Sequence, residues 1–270
     1  MKSLLTVLKG RPLSSALAEA ESQVKASPND ADKRASWVQL LLLYGAWPRA
    51  QAQLKAWQAL APIARPTTQQ LSEAVTAEIE REQVLRGEIA PAFLNTPTEW
   101  QSALAKALLM PADKASELRA LAYQQAEEIA GSLTVSGQDE QQLIVDFSWL
   151  ADADSRLGPI CELFVDHHYY WVPFQDIESI NFQPPQNTVH LIWAHAMVKW
   201  RSGQQQVCQI PARYPLSENS SDSHRLGHRT DWYPLNEEGH YAGQGQKSWL
   251  TDNDEYALLT VRQVQFVTGE

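Results

Sequence analysis

Acidic and histidine side chains crowd into one stretch of this chain. Asp152 and Asp154 stand two apart in the run A-D-A-D-S-R (151–156), and Asp166, His167 and His168 follow in E-L-F-V-D-H-H-Y-Y-W. Carboxylates and imidazoles bind divalent cations and serve as general acids and bases, but a metal needs three or four of them converging on one ion. Adjacent histidines on a strand point to opposite faces, so His167 and His168 share an ion only if they sit in a turn. No H-E-x-x-H spacing occurs. His195 falls on an expected strand and His224, His228 and His240 in an expected loop, so tertiary structure alone would have to assemble a site. There is no G-x-S-x-G elbow, and neither Cys161 nor Cys208 has a nucleophile's context. The glycines of G-Q-G-Q-K (243–247) lack phosphate-loop spacing and read as coincidence. Asp and Ser side chains readily accept from nearby backbone amides, and a guanidinium forks onto a carboxylate. Asp152, Asp154 and Arg156 are therefore expected to form a structural corner, and Arg213, Arg225 and Arg229 to neutralise those carboxylates internally. No catalytic residue, metal ligand or cofactor is assigned. A metal-dependent hydrolase built on the Asp/His-rich second half is the alternative.

The elements that position these residues divide into two kinds. In the first half apolar residues recur at helical spacing: Leu13, Leu17, Ala20 and Val24, then W-V-Q-L-L-L-L-Y (37–44), a helix over 48–60, and helices near 67–87, 98–110 and 112–130. Trp37, Leu40 and Tyr44 match the first-helix pattern of a tetratricopeptide repeat, which predicts antiparallel helical hairpins over 1–130. Stacked hairpins leave a groove that accepts a partner's amphipathic helix, and Trp37, Tyr44, Trp47 and Trp57 are its candidate lining. After a connecting segment at 131–146, short β-branched and aromatic runs separated by turn residues predict strands at 160–166, 169–174, 177–182, 189–200, 206–211 and 255–267, with a hairpin turn at Arg201–Gly203. Region 212–250 reads as a long irregular excursion. The expected class is α+β: TPR-like hairpins, then a β-rich antiparallel meander or small barrel over 147–270.

The 270 residues carry a formal charge of −10, with 44% hydrophobic and 20% charged residues. Residues 1–139 hold 14 Lys/Arg against 15 Asp/Glu, whereas 140–270 hold 8 against 17 and all seven histidines. An acidic second half lacks the basic footprint that nucleic acid or an anionic membrane requires. No apolar run approaches the ~18 residues of a membrane span, and the start M-K-S-L-L-T-V-L-K-G-R-P reads as a first helix rather than a secretory signal. Two cysteines are too few for a disulfide framework. A cytoplasmic protein that binds a protein or a small molecule remains.

Four motifs of the second half, in order, carry a resemblance: W-L-A-D-A-D-S-R-L-G-P (149–159), Y-Y-W-V-P-F (169–174), A-R-Y-P-L-S-E (212–218) and L-G-H-R-T-D-W (226–232). Together they resemble the ImpE/TagJ (SciE-type) family of type VI secretion accessory proteins. The resemblance implies no enzymatic activity. It implies as partners the small subunit of the contractile sheath, through its N-terminal helix, and the AAA+ ATPase that recycles the sheath. Trp149, Asp152, Asp154, Arg156, Tyr170, Trp171, Arg213, Tyr214, Arg225, Arg229 and Trp232 are the motif residues expected to hold the architecture or form a contact surface. Asp166-His167 stands where the family has Asn-Gly, an ideal I′ turn; His168 replaces an arginine and Leu216 a glycine.

Overall fold

The structure, a computed structural model, describes residues 10–137, 141–237 and 239–267. Most of the expected N-terminal helix at the start of the chain lies outside them. Among the described residues, six helices occupy the first half: α1 (Leu13–Ala26), α2 (Ala31–Tyr44), α3 (Trp47–Leu60), α4 (Arg65–Leu85), α5 (Glu99–Ala107) and α6 (Ala112–Gln125). Their ends follow local chemistry. Asp30 accepts from the amides of Asp32 and Lys33 to cap α2, and Thr98 and Gln101 form a capping box at α5. At the far end of α2, Gly45 is left-handed (φ 83°), and the Gly45 and Ala46 amides close a Schellman turn onto Leu42 and Leu41. Short connections fold α1 and α2, α2 and α3, α3 and α4, and α5 and α6 back on each other as antiparallel hairpins, whereas β1 and its flanking turns separate α4 from α5.

A nine-stranded sheet follows, in the order β1-β6-β5-β9-β8-β7-β15-β2-β3. Its strands are β1 (Ala92–Phe93), β2 (Gly131–Ser136), β3 (Gln142–Phe147), β5 (Ile160–Val165), β6 (His168–Pro173), β7 (Ile177–Phe182), β8 (Trp193–Trp200), β9 (Gln205–Pro211) and β15 (Val261–Phe266). All pairs are antiparallel except β1 with β6. Two three-stranded sheets complete the fold: β10 (Arg213–Tyr214), β11 (Thr230–Pro234) and β12 (Tyr241–Gln246) form one. The other joins β4 (Leu150–Asp152) through β13 (Ser248–Thr251) to β14 (Glu255–Ala257).

The α+β class stands, with four differences in detail. The large sheet keeps two edges, β1 and β3, and so is an open sheet, antiparallel apart from β1, the meander and not the small barrel of the two forms expected. Residues 131–146, expected as a connector, contribute the β2–β3 edge hairpin. Region 212–250, expected to be irregular, holds β10 to β13 and the short helix α7 (Asp222–Arg225); its Ser, Asn, Gln and Gly residues hide four short strands behind a loop-like composition. The single strand expected over 255–267 is broken at Leu258–Thr260 by one 3-10 turn.

Alternation along β5 and β6 gives each face its own core. Cys161, Leu163 and Val172 join the cluster of Phe174, Ile180, Val198, Trp249 and Phe266. Ile160, Phe164, Tyr169 and Trp171 face the other way and join Leu40, Leu43, Trp47, Val75 and Leu104 of the helices. Helices and sheet thus share one apolar layer.

Candidate functional site

Inside that shared layer lies a network of charges with almost no contact with water. It is fed by α4, β4, β5, the corner after β4, and the link between β12 and β13. Arg81 projects from the buried face of α4 and forks onto Glu162 of β5, Nε to Oε1 at 2.7 Å and Nη2 to Oε2 at 3.0 Å. Its Nη1 donates to Glu78 one turn earlier at 2.8 Å, and Glu78 also accepts from the Trp193 indole at 2.7 Å. The Tyr169 hydroxyl donates to Glu162 at 2.6 Å and accepts from the Trp171 indole at 2.6 Å. On the far side of Glu162 stands Lys247, whose ammonium lies 2.6 Å from Oε2 and also bonds Asp152. Tyr214 donates to Asp152 at 2.9 Å, with the Lys247 nitrogen 4.7 Å from its ring centre.

The D-A-D-S-R run continues the network. Asp152 accepts from the Asp154 amide at 3.0 Å, and Asp154 from the Arg156 amide at 2.9 Å, so two successive Asx turns bend the chain. Arg156 forks back onto Asp154 with Nε at 2.9 Å and Nη2 at 2.6 Å. The Gly243 amide reaches the same carboxylate at 3.0 Å. That approach needs glycine, because a Cβ on Gly243 would stand 2.3 Å from the Tyr214 ring. Trp232 of β11 packs across Tyr214 with ring centres 5.5 Å apart.

Glu78, Asp152, Asp154 and Glu162 oppose Arg81, Arg156 and Lys247, and of the six other than Arg156 none is more than 4 % exposed. Four carboxylates against three cations leave one negative charge in excess. Arg81 and Lys247 hold the Glu162 carboxyl below the usual carboxylate range even against burial. Burial, reinforced by Glu162 and Asp154 and opposed by Lys247, pushes Asp152 up to about 6. The excess charge is therefore relieved by a proton on Asp152 in mildly acidic solution.

The motif arginines act elsewhere. Arg213 is buried and donates to the carbonyls of Leu42 (3.0 Å), Leu43 (2.8 Å) and Arg225 (2.5 Å). Arg225 bonds the Tyr44 carbonyl and lies 4.0 Å over the Tyr44 ring. Both cations thus sit at the negative end of the α2 dipole, where free carbonyls collect. The expectation that they neutralise Asp152 and Asp154 is corrected: Lys247 and Arg156 do so. Burial with no carboxylate bonded lowers the Arg213 pKa to about 9. Arg229 pairs at the surface with Asp231 at 2.6 Å.

The expected partner groove is also corrected. Trp37 and Trp47 are buried in the shared core, Trp47 with its ring centre 5.9 Å from Trp193 and its indole on Glu82 at 2.7 Å. Tyr44 lies beneath Arg225, and Trp57 is half-buried against the same core. The apolar face of β5 and β6 needs a covering layer, and the helical hairpins supply it.

Asp166, His167 and His168 form the tip between β5 and β6, with Val165 opposite His168. Asp166 takes a positive φ of 56°, and His167 does not share it, so only half of the expected I′ geometry is present. No group of three His, Cys, Asp or Glu residues placed to hold a metal occurs among the described residues. Cys161 and Cys208 are free and buried. Tyr170 is half-buried beside β1, opposite Ala92.

Among the described residues, two of the cavities that open to the surface stand out. One of about 630 Å3 lies where β1 ends, against Trp171, Pro173, Asp176 and Trp200. The other, about 310 Å3, is bounded by Trp149 and the outer side of the 150–159 corner, by Tyr123 and Glu127 and Glu128 at the end of α6, and by Leu250.

Helical hairpins laid on a large mixed sheet define an α+β protein whose two layers meet through the Arg81–Glu162 pair of the ionic network and through Arg213 and Arg225 at the end of α2. Residues 145–265 match the model of the ImpE protein family. A Pseudomonas aeruginosa protein named type VI secretion system accessory component TagJ is 34% identical over 265 residues, spanning 96% of this chain and 89% of its own length. The crystal structure of protein VPA1032 from Vibrio parahaemolyticus superposes with a TM-score of 0.85 at 26% identity, covering 97% of this chain and 96% of that one. The chain belongs to the ImpE/TagJ family of type VI secretion accessory components.

Proposed function

We propose that this protein is a non-enzymatic, cytoplasmic adaptor of a type VI secretion system that binds the N-terminal helix of the small sheath subunit and couples it to the sheath-recycling AAA+ ATPase. The observation that carries the reading is likeness, over nearly the full length of both chains, to a protein named as an accessory component of such a system. The buried carboxylates support it. Asp152 and Asp154 are each held by a cation and by backbone or phenol donors inside the core, whereas His167 and His168 stand exposed at a hairpin tip. The Asp/His convergence that the hydrolase alternative requires is not made. Because the helical face first expected to be a groove is packed against the sheet, the sheath helix docks on the outer surface.

Co-purification of the full-length protein with the small sheath subunit of its own secretion cluster tests this. Capture that is lost when the sheath subunit lacks its N-terminal helix is the expected result. Equal capture of the truncated subunit, or none of the intact one, overturns the reading.

A further inference from the structure

Of the surface features, the cavity beside Trp149 has both a shape and a charge that specify an occupant. At about 310 Å3 it lies at the lower end of the size range of small-molecule sites, room for one or two side chains. Its walls are Tyr123, Trp149, Ala151, Pro159 and Leu250, an apolar lining on rigid supports. Tyr123 is fixed by its hydroxyl bond to the Ser155 carbonyl at 2.5 Å, and Ala151 and Leu250 are register partners of β4 and β13. Behind the corner stands the ionic network, so the floor cannot yield without breaking Asp152 and Asp154 from their partners. Trp149 is half-buried, and its indole N–H donates to nothing among the described residues. A half-exposed tryptophan with a free donor, over a pocket on a rigid frame, is the composition of an interface hot spot.

The rim adds the sign. Glu127 and Glu128 follow the last turn of α6, both are exposed, and neither carboxylate is paired among the described residues. Two free carboxylates beside an apolar pocket complement a cation placed next to an apolar anchor.

We infer that this cavity receives an α-helical segment of a partner protein, inserting one apolar side chain against Trp149 while a lysine or arginine one turn away pairs with Glu127 and Glu128. The inference rests on the adaptor reading above and gives its docking surface a place: the outer side of the W-L-A-D-A-D-S-R-L-G-P corner and the end of α6. It also gives the corner motif a second use, with one side closing the ionic network and the other shaping the pocket.

The test measures binding of the purified small sheath subunit, and of a synthetic peptide of its N-terminal helix, to wild type and two variants by calorimetry or anisotropy at low and high salt. Glu127→Lys/Glu128→Lys alters exposed side chains and keeps the fold; Trp149→Ala is checked by circular dichroism and its thermal midpoint. The expected result is at least about tenfold weaker binding for each, equivalent to about 1.4 kcal/mol. For wild type, affinity should fall as salt rises, and the charge-reversed variant should lose that dependence. Wild-type binding that both variants retain overturns the pocket and leaves the adaptor reading intact. No binding by wild type overturns both. Self-association of the protein that the variants abolish would hand the pocket to a second copy and overturn the assignment to a partner.

Discussion

Replacing Lys247 by methionine tests the ionic network at its centre. The methionine keeps most of the stem and removes the one cation that touches both Asp152 and Glu162. With Asp152 ionised, the network's excess rises from one negative charge to two, in a setting where each partner is no more than 4 % exposed. Removing one member of a buried ion pair costs about 3–5 kcal/mol, and that loss is expected at neutral pH. The pH dependence separates an electrostatic cause from a packing defect. Asp152 titrates near 6 in the folded protein against an ordinary 3.8. Its raised value means that its stabilising proton is bound below 3.8 and that its contribution is lost as pH rises through 6. Without Lys247, whose charge lowers the Asp152 pKa, that value moves higher still. The variant then keeps losing about 1.4 kcal/mol per pH unit above 6, where the wild type has stopped. Urea unfolding followed by circular dichroism at pH 5, 6, 7 and 8 should show a deficit that widens by at least about 1.4 kcal/mol between pH 6 and 8. Adding Asp152→Asn should recover a large part of it. A deficit below about 1 kcal/mol at pH 7, or one constant from pH 6 to 8, would refute the account of the network given above.

Asp152→Asn alone imitates the protonated carboxyl, and should remove a wild-type loss of about 3 kcal/mol between pH 4 and 7, read from the same unfolding curves. Gly243→Ala forces a methyl into the buried Tyr214 ring and should cost about 1–3 kcal/mol in the thermal or urea midpoint, with Trp232 fluorescence shifting as the ring moves. Arg213→Ala strips the last carbonyls of α2 of a buried donor and should cost about 2–4 kcal/mol, with hydrogen exchange accelerating at Leu41–Ala46 before the rest of the fold.

The helices of the first half were legible because an apolar stripe at three- and four-residue spacing, closed by Asp30 or Gly45, has one folded interpretation. Strands β5 to β9 were legible for the matching reason, alternation between turn residues. What composition concealed is where short polar strands meet a distant charge. Lys247 lies in a run of Gly and Gln that resembles a loop, yet its neighbours are supplied by β4 and β5. Arg81 carried a local signal: Leu71, Ala74, Glu78, Arg81 and Leu85 lie along one stripe of α4, so two opposite charges interrupt an otherwise apolar face. Charges placed there at i and i+3 announce burial with a partner, and the partner, Glu162, lies 81 residues away. The groove was misread because amphipathic hairpins show which face is apolar and not what covers it.

The two ends clamped from afar bear on how the chain is made. The first amide of α1, at Leu13, is capped by Asp222 at 2.7 Å, and the last carbonyls of α2 are met by Arg213 and Arg225. During synthesis the helical hairpins leave the ribosome first, at about 5–20 residues each second, with those ends open and the face meant for β5 and β6 bare. The caps lie 209 residues further on for α1 and 171 to 181 for α2, a separation that delays final docking until residues 213–225 have emerged. A nascent chain stalled before Arg213 should therefore be held by chaperones and open to proteases, and only completion of the β12–β13 link, with Lys247, locks it.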